Sequence, residues 1–457
     1  MKAQRRQLLE SVTIGDAEYP LNYGSNAEDK QVMPCLTLQE EVYRRLCGEL
    51  EPGFLVSPRV PFLPHTGFSS LANRAVALSQ IYQILFQDQE LRHRALPPWL
   101  HKVPSANEFA LAGLAFDFFV GRNLESPKLL ECAAYGPDMV MSAVMLDTIL
   151  GTRSYTTTLM AWWKHLVEGR LASKIVFPPA MLFEGTNILA WWQSLVKPLM
   201  VGKRLHFVTS IGELNHTRDG EHLFQMNFLR EVGVEATSGS AEEVPNSAET
   251  VYLRFSLMYP QGWNTIKGTH LWKRVLAGDV RLIPPIGNSF VSSKVVLPVL
   301  ADASELRQRG VPENLIKVAG EVMPATFLYQ RGMYGWIARS VAPTRPLWLK
   351  SAWNYGGFGT RRVSSADGLA KALYEIETYG EGPIIAQEEI PPSYLPADSE
   401  REIPEQRVEV RVRVFDHGSA IKAVPPIPSV RLYGPDGGRP QVSILLSRDV
   451  LPQQEKE

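Results

Sequence analysis

Cysteine is scarce in this 457-residue chain. Only Cys35, Cys47 and Cys132 occur, with no CxxC pair, which argues against a disulfide framework or a thiolate zinc site. Long apolar runs are missing too. Ala143 to Leu150 and Ile188 to Leu199 are broken by polar groups and too short to span a bilayer. Net charge is only -1, so no global basic field draws the chain to nucleic acid or a membrane surface. Met1 to Glu10 is basic and then polar, without the apolar centre of a signal peptide. The expectation is a cytoplasmic protein. No Gly-x-Ser-x-Gly elbow points to a serine hydrolase. His65, His206 and His216 are too scattered to read as a metal site. Glu40-Glu41 and Glu388-Glu389 are paired carboxylates without partners at glycosidase-like positions.

What is present is ordinary in bulk: 45% hydrophobic and 21% charged residues, the balance of a globular protein. The length calls for more than one core and predicts two or three packed subdomains. Leu38, Val42 and Leu46, then Ala75, Leu78, Ile81, Ile84 and Leu85, recur at helical spacing. A Pro-rich loop, Ser57 to Pro64, separates them. Leu111 to Val120 and Lys128 to Cys132 read as a hairpin, with Asn123 and Ser126 in its turn. A helix is expected over Met139 to Leu150. The pairs Trp162-Trp163 and Trp191-Trp192 read as packing residues. From Lys203 the pattern becomes α/β. Leu205 to Thr209 and Val251 to Phe255 are expected as strands, and Glu221 to Val232, ending at Gly233, as a helix. Residues 234 to 249 read as an exposed loop, Thr269 to Leu276 as a helix.

Chemistry concentrates in two segments. Leu347-Trp348-Leu349-Lys350 is an apolar strand carrying a lysine. Asn354-Tyr355-Gly356-Gly357-Phe358-Gly359-Thr360 follows it, then a helix over Ala366 to Thr378, then a strand over Pro383 to Gln387 that ends in Glu388-Glu389-Ile390. Glycines let backbone N–H groups approach phosphate oxygens, and a lysine on the preceding strand places a point charge beside them. Ordinary turns also collect glycine, and no Gly-Lys-Ser/Thr closes this loop. The second segment, Ile283-Pro284-Pro285-Ile286-Gly287-Asn288-Ser289, leads to Lys294 at the start of a helix over Val295 to Leu300. Alone, it would also suit an exposed lysine at a helix start.

Together the two segments resemble the ATP-grasp superfamily, and more closely its circularly permuted branch of glutathionylspermidine synthetase-like amide and peptide ligases. The resemblance covers roughly residues 60 to 420. It implies an α+β fold with a helical N-terminal region and the cofactors ATP and Mg²⁺. Lys294 and Lys350 match the two nucleotide lysines. Gly356, Gly357 and Gly359 match a lid over the phosphates, and Gln387, Glu388, Glu389 and Ile390 a hinge beside adenine. That branch places Mg²⁺ ligands on an N-terminal hairpin, and Asp117 and Glu131 fall at those positions. Ala115 stands where the branch has arginine, and Ala133 where it has asparagine. Arg254, Arg411 and Arg413 are the candidates to make good the missing guanidinium, with Arg254 and Arg411 the expected catalytic pair.

The organisation expected is 1–104 mainly helical, 105–200 the metal-binding hairpin and helices, 201–345 an α/β subdomain with the first lid lysine, and 346–457 the nucleotide-binding subdomain. The resemblance implies ATP-dependent joining of a small carboxylate to an amine through an acyl phosphate, releasing ADP and phosphate, with no nucleic-acid or membrane partner. Two other readings stay open. One is an ATP-binding protein of this fold with weak or lost catalysis, acting through a partner. The other is an α/β protein unrelated to ATP. The two substrates and the oligomeric state are not legible from the residues.

Overall fold

The computed structural model describes residues 11–14, 17–23, 32–49, 56–63, 68–120, 127–134, 196–208, 210–211, 214–215, 226, 229–230, 233–342, 344–354, 359–380, 382–416, 421–434, 441–444 and 446–447. The expected helix over Met139 to Leu150, both Trp pairs, the hairpin turn, His65, His216, Gly356 and Gly357 lie outside these residues. Of the expected helix over Glu221 to Val232, only residues 226, 229 and 230 are described, all helical.

The fold is mixed helix and sheet, and three sheets position the site. The longest-stranded is antiparallel. Its order is Gln441–Ile444, Ile421–Tyr433, Gln406–Asp416, Ala112–Phe119 and Lys128–Ala133, with Ser393–Leu395 added beside Gln406–Asp416. The second is parallel: Glu235–Gly239, Arg204–Val208, Thr250–Leu253 and Arg281–Ile283. The third is antiparallel: Thr326–Leu328, Ile384–Glu388, Leu347–Ser351 and Thr360–Val363.

Period-two patterning explains the first sheet. In Gln406–Asp416, Val408, Val410, Val412 and Val414 are buried in the main core, while Arg407, Glu409, Arg411 and Arg413 alternate with them on the other face. Leu114, Phe116 and Phe118 join the core, and Ala115 and Asp117 fall between them. Helix Phe68–Leu85 covers the apolar face, burying Leu71, Ala75, Leu78, Ile81, Tyr82 and Leu85. The Tyr82 ring lies 6.2 Å from Phe116 and 6.1 Å from Phe290, tilted and edge-on. Each such buried aromatic contributes about 1.5–3 kcal/mol.

The third sheet has a small core of its own. Leu349, Ala386, Ile384 and Val363 pack with Leu369, Leu373 and Ile376 of helix Ala366–Tyr379. Ser365 caps that helix, accepting from the Gly368 N–H at 3.1 Å. Ile385 belongs to the main core instead, so this sheet turns one face, with Lys350 and Gln387, to the body of the molecule.

Among the described residues, the strands and helices expected from periodicity lie within a residue or two of their expected bounds, apart from the following. Arg59–Leu63 is a buried strand paired with Cys35–Thr37, where a Pro-rich loop was expected. The three prolines of Ser57 to Pro64 suggested a turn, but Arg59 is buried and donates to the carbonyls of Pro396 and Pro404 and to Gln406 Oε1. Within the expected loop 234–249, Glu235–Gly239 is the edge strand of the parallel sheet. Only Ala236 of its residues is buried, so the sequence carried no apolar signal. The expected helical N-terminal region also contains strands, at Ser11–Ile14, Ala17–Pro20, Cys35–Thr37 and Arg59–Leu63.

The segment before Lys294 is locked from several sides. Asn288 is buried; its Oδ1 accepts from the Ala110 N–H at 2.9 Å and its Nδ2 donates to the Ala110 carbonyl at 2.8 Å. Ser292 Oγ accepts from the Ala134 N–H at 3.0 Å. Ser293 Oγ donates to the Ala95 carbonyl at 2.8 Å. A Cβ on Gly287 would meet the Glu108 carbonyl oxygen at 2.1 Å, so only glycine passes there. Asn288→Ala leaves both Ala110 groups without their partner, and stability is expected to fall by about 2–3 kcal/mol. Urea denaturation measures this; a loss below about 0.5 kcal/mol would show the clamp to be dispensable.

Candidate functional site

One face of the long-stranded sheet is charged and largely enclosed. Arg411, Asp117 and Glu131 lie opposite one another across three strands. Arg413, Ala115 and Ala133 form the next row. Asp117 is fully buried and takes both prongs of the Arg411 guanidinium, at 2.6 Å from Nε and 2.5 Å from Nη2. Arg431 reaches Glu409 at 3.2 Å and Asp117 at 3.8 Å. Partial burial, with Asp117 and Glu131 nearby, pushes the Glu409 carboxyl up to about 7 against the pull of Arg431 and Arg411.

The two lysines arrive from different units. Lys350, on the central part of the third sheet, donates to Gln387 Oε1 at 2.6 Å and reaches the Leu130 carbonyl at 3.4 Å. Pairing passes from Asp117–Glu131 to Phe118–Leu129, so Leu130 is an extra residue in its strand, and this bulge stands at the lysine. Gln387 is itself buried and donates through Nε2 to Thr326 Oγ1 at 3.3 Å. Lys294 is buried and donates to the Asn354 carbonyl at 2.5 Å. Burial lowers both ammonium pKa values, that of Lys350 to about 8, and the nearby Glu131 carboxylate opposes the shift in both. Lys294 further depresses Lys350. Two cations therefore share the field of one carboxylate.

Other expected residues fall as follows. Gly359 has φ +66, and a Cβ there would stand 2.8 Å from Ser351 Cβ and 2.9 Å from Asn354 Nδ2. Its carbonyl accepts from the Ser351 N–H at 2.8 Å, so this glycine shapes the turn beside the partner of Lys294. The Glu388 side chain is exposed and its N–H donates to the Ala325 carbonyl at 2.8 Å. Glu389 is forked by Arg362 at 2.6 and 2.9 Å. Ile390 is buried. Arg254 stands on the parallel sheet, just past Thr250–Leu253, with its N–H to the Val208 carbonyl at 3.3 Å. The charged rows thus bring together Asp117, Glu131, Lys294, Lys350, Gln387 and Arg411, and leave Arg254 on another sheet. Asn354 and Thr326 are partners that sequence reasoning did not single out. Arg431, expected to open a substrate loop or to lie at the surface, stands instead in the strand Ile421–Tyr433, beside a strand whose alternation Val-Glu-Val-Arg-Val-Arg-Val over 408–414 marks a charged face.

Asp117 and Glu131 face each other as the hairpin pattern expected, but the pair does not fit as two equal metal ligands. Both Asp117 oxygens are engaged by Arg411, and among the described residues no group of three His, Cys, Asp or Glu is arranged to hold an ion. Glu131 fits a single carboxylate contact to Mg²⁺, an ion that commonly takes one or two carboxylates with phosphate oxygens and water. No helix among the described residues is long and apolar enough to cross a membrane.

No family model matches the chain, and no curated protein matches it. Among solved structures it is similar to a glutathione synthetase like-effector from Globodera pallida, at 11% identity and TM-score 0.44 over 86% of this chain and 89% of that one. It is similar to a provisionally named gamma-glutamylcysteine synthetase from Methylobacillus flagellatus KT, at 14% identity and TM-score 0.40 over 79% and 83%. A RimK domain protein ATP-grasp from Sphaerobacter thermophilus DSM 20745 aligns at 17% identity and TM-score 0.26 over 48% of this chain and 89% of that one. These are likenesses of low identity, and the weight falls on the geometry of the site.

Asp117→Asn leaves the Arg411 charge buried without its carboxylate. Such a loss costs about 3–5 kcal/mol. Thermal and denaturant unfolding of the variant are expected to show it. A fully stable Asp117→Asn protein would mean that Asp117 serves a ligand and not the fold.

Proposed function

We propose that this chain binds ATP between Lys294 and Lys350 in an ATP-grasp arrangement and uses it to join a carboxylate to an amine. One observation carries the reading. Two ammonium groups come from separate structural units, Lys294 on the Asn354 carbonyl and Lys350 on Gln387 and the Leu130 carbonyl next to Glu131, beside a sheet face that holds three arginines. Five cations against three carboxylates is an arrangement that a polyanion completes. The order along the chain supports the circularly permuted branch. The carboxylate hairpin comes first, the two lysines later, and the strand Gln406–Asp416 closes back onto the hairpin.

In this reading Lys294 and Lys350 neutralise the phosphate oxygens, where charge shifts during transfer. Gln387 fixes the Lys350 side chain, and the Asn354 carbonyl fixes Lys294. Glu131, which supports both lysines, would be the protein contact of a Mg²⁺ ion, which supplies further neutralisation of the phosphates. Residues 387–390 border the adenine. A substrate carboxylate oxygen attacks the γ-phosphorus, and ADP leaves with the electrons of the bridging bond. An amine that has lost its proton then attacks the acyl carbon, and phosphate departs. The chain's part is positioning and charge neutralisation.

A second reading keeps ATP binding without turnover. Ala115 is fully buried on the charged face, with Ala133 across from it, so two positions that could carry polar groups carry methyls.

Lys294→Ala and Lys350→Ala are each expected to weaken ATP binding by about 1.5–3 kcal/mol in calorimetry. Unchanged affinity in both would end the ATP reading. Lys350 is cationic below about 8 and neutral above it, and only the cation attracts phosphate. ATP affinity is therefore expected to fall as pH rises past that value, and Lys350→Arg to remove the fall. With an acid and an amine that are substrates, ADP and phosphate are expected, and hydroxylamine should trap the acyl phosphate as a hydroxamate. AMP instead would refute the mechanism. Tight ATP binding with no nucleotide consumed across a broad panel of acids and amines would favour the second reading.

A further inference from the structure

The charged face of the long-stranded sheet is closed at one end and opens toward the other. Arg411 and Arg413 are buried. One row on, the Glu409 side chain is 13% exposed and that of Arg431 25%. The next row holds Arg407, half-buried near the start of Gln406–Asp416, with Tyr433 directly across from it on one side and Tyr394 on the other. Alternation along the strand puts Arg407 on the same face as Glu409 and Arg411.

The guanidinium groups of this face hold different things. Arg411 is forked onto Asp117, and Arg431 spans Glu409 and Asp117. Arg407 lies over the Tyr433 ring, 4.9 Å from its centroid, and forms no ion pair with any described residue. A guanidinium stacked on a ring keeps its N–H donors in its own plane, open to a ligand at its edge. Burial, and after it the Glu409 carboxylate, raises the Tyr433 pKa, so the phenol stays protonated and able to donate beside it. The backbone here is fixed before any ligand arrives. Gln406 is buried and its Oε1 accepts from Arg59 Nη1 at 3.3 Å, while the Met33 N–H donates to the Tyr394 carbonyl at 2.9 Å. Such preorganisation lowers the ordering cost of binding an anion.

The row of Arg407 is about 13 Å along the strand from that of Arg411. An acid that enters from the open end and reaches the lysines leaves its other end near Arg407. A single planar fork suits a carboxylate, whose two oxygens it can take at once.

We propose that Arg407, seated on Tyr433, binds a second carboxylate on the acid substrate, so that this chain takes diacids in preference to monoacids. This rests on the ligase reading above and names the substrate class of that site.

Calorimetry with the diacids from succinate to suberate and with the monoacids of equal length tests the assignment. It is run on the wild type, Arg407→Gln and Arg407→Lys, with and without Mg²⁺ and a non-hydrolysable ATP analogue. The wild type is expected to bind at least one diacid about tenfold or more tightly than its monoacid. Arg407→Gln should bring that pair within about twofold, with Arg407→Lys between. Unchanged affinity of the variants for the ATP analogue doubles as a check on folding. If Arg407→Gln does not fold, the preference of Arg407→Lys decides, and an unchanged preference overturns the assignment. A wild type without diacid preference at any length, or a preference that survives in Arg407→Gln, overturns it as well. A wild type that prefers diacids through Arg407 but binds no nucleotide removes the ATP reading and leaves the subsite standing.

Discussion

The pairing of Asp117 with Arg411 constrains more of this molecule than any other polar contact described here. Neither side chain reaches solvent, and taking two such charges from water costs several kcal/mol per ion before their attraction is counted. Two hydrogen bonds at 2.6 and 2.5 Å, with Arg431 3.8 Å away, offset that cost. A slip of one residue between Ala112–Phe119 and Gln406–Asp416 would turn Asp117 into the face of valines and phenylalanines. The pair therefore fixes the register of the central strands, and the register in turn places Glu131, Glu409 and Arg413.

The lysines depend on a second constraint. Their segments are 56 residues apart in sequence, yet both are tied to one carbonyl. Ala95 accepts from Ser293 Oγ at 2.8 Å and from Trp353 Nε1 at 3.0 Å, and the Lys294 N–H meets the Ala352 carbonyl at 3.4 Å. Holding both ammonium groups in place before a ligand arrives reduces the ordering cost of binding it. The same enclosure lowers their pKa values, and Glu131 limits the fall.

Much of this was legible in the sequence, for identifiable reasons. The strand carrying Lys350, the helix Ala366–Tyr379 and the hairpin bearing Asp117 and Glu131 have strong periodicity bounded by turn residues, and they fold where the pattern put them. Arg59–Leu63 was hidden because its burial is satisfied by carbonyls from residues near 400, which no local pattern encodes. The partner of Asp117 was hidden for a similar reason. Its partner stands 294 residues away, and a carboxylate at a hairpin position looks the same whether an ion or a guanidinium faces it. Arg254 looked equivalent to Arg411 because sequence does not say which sheet a strand joins.

The alanines at 115 and 133 are best understood with the arginine across from them. In a β-sheet the residue that faces a given point can come from either neighbouring strand, since directly opposed side chains stand about 4.5–5.5 Å apart at Cβ. A guanidinium at a given point can therefore come from one strand while the position across from it stays small. Ala115 is fully buried, Arg413 nearly so, and the two are in register. Position 115 then need carry no charge for the face to present one there, and a methyl is the side chain that lets a neighbouring arginine extend over it. The row of Arg413, Ala115 and Ala133 thus carries its charge on Gln406–Asp416 and its methyls on the hairpin.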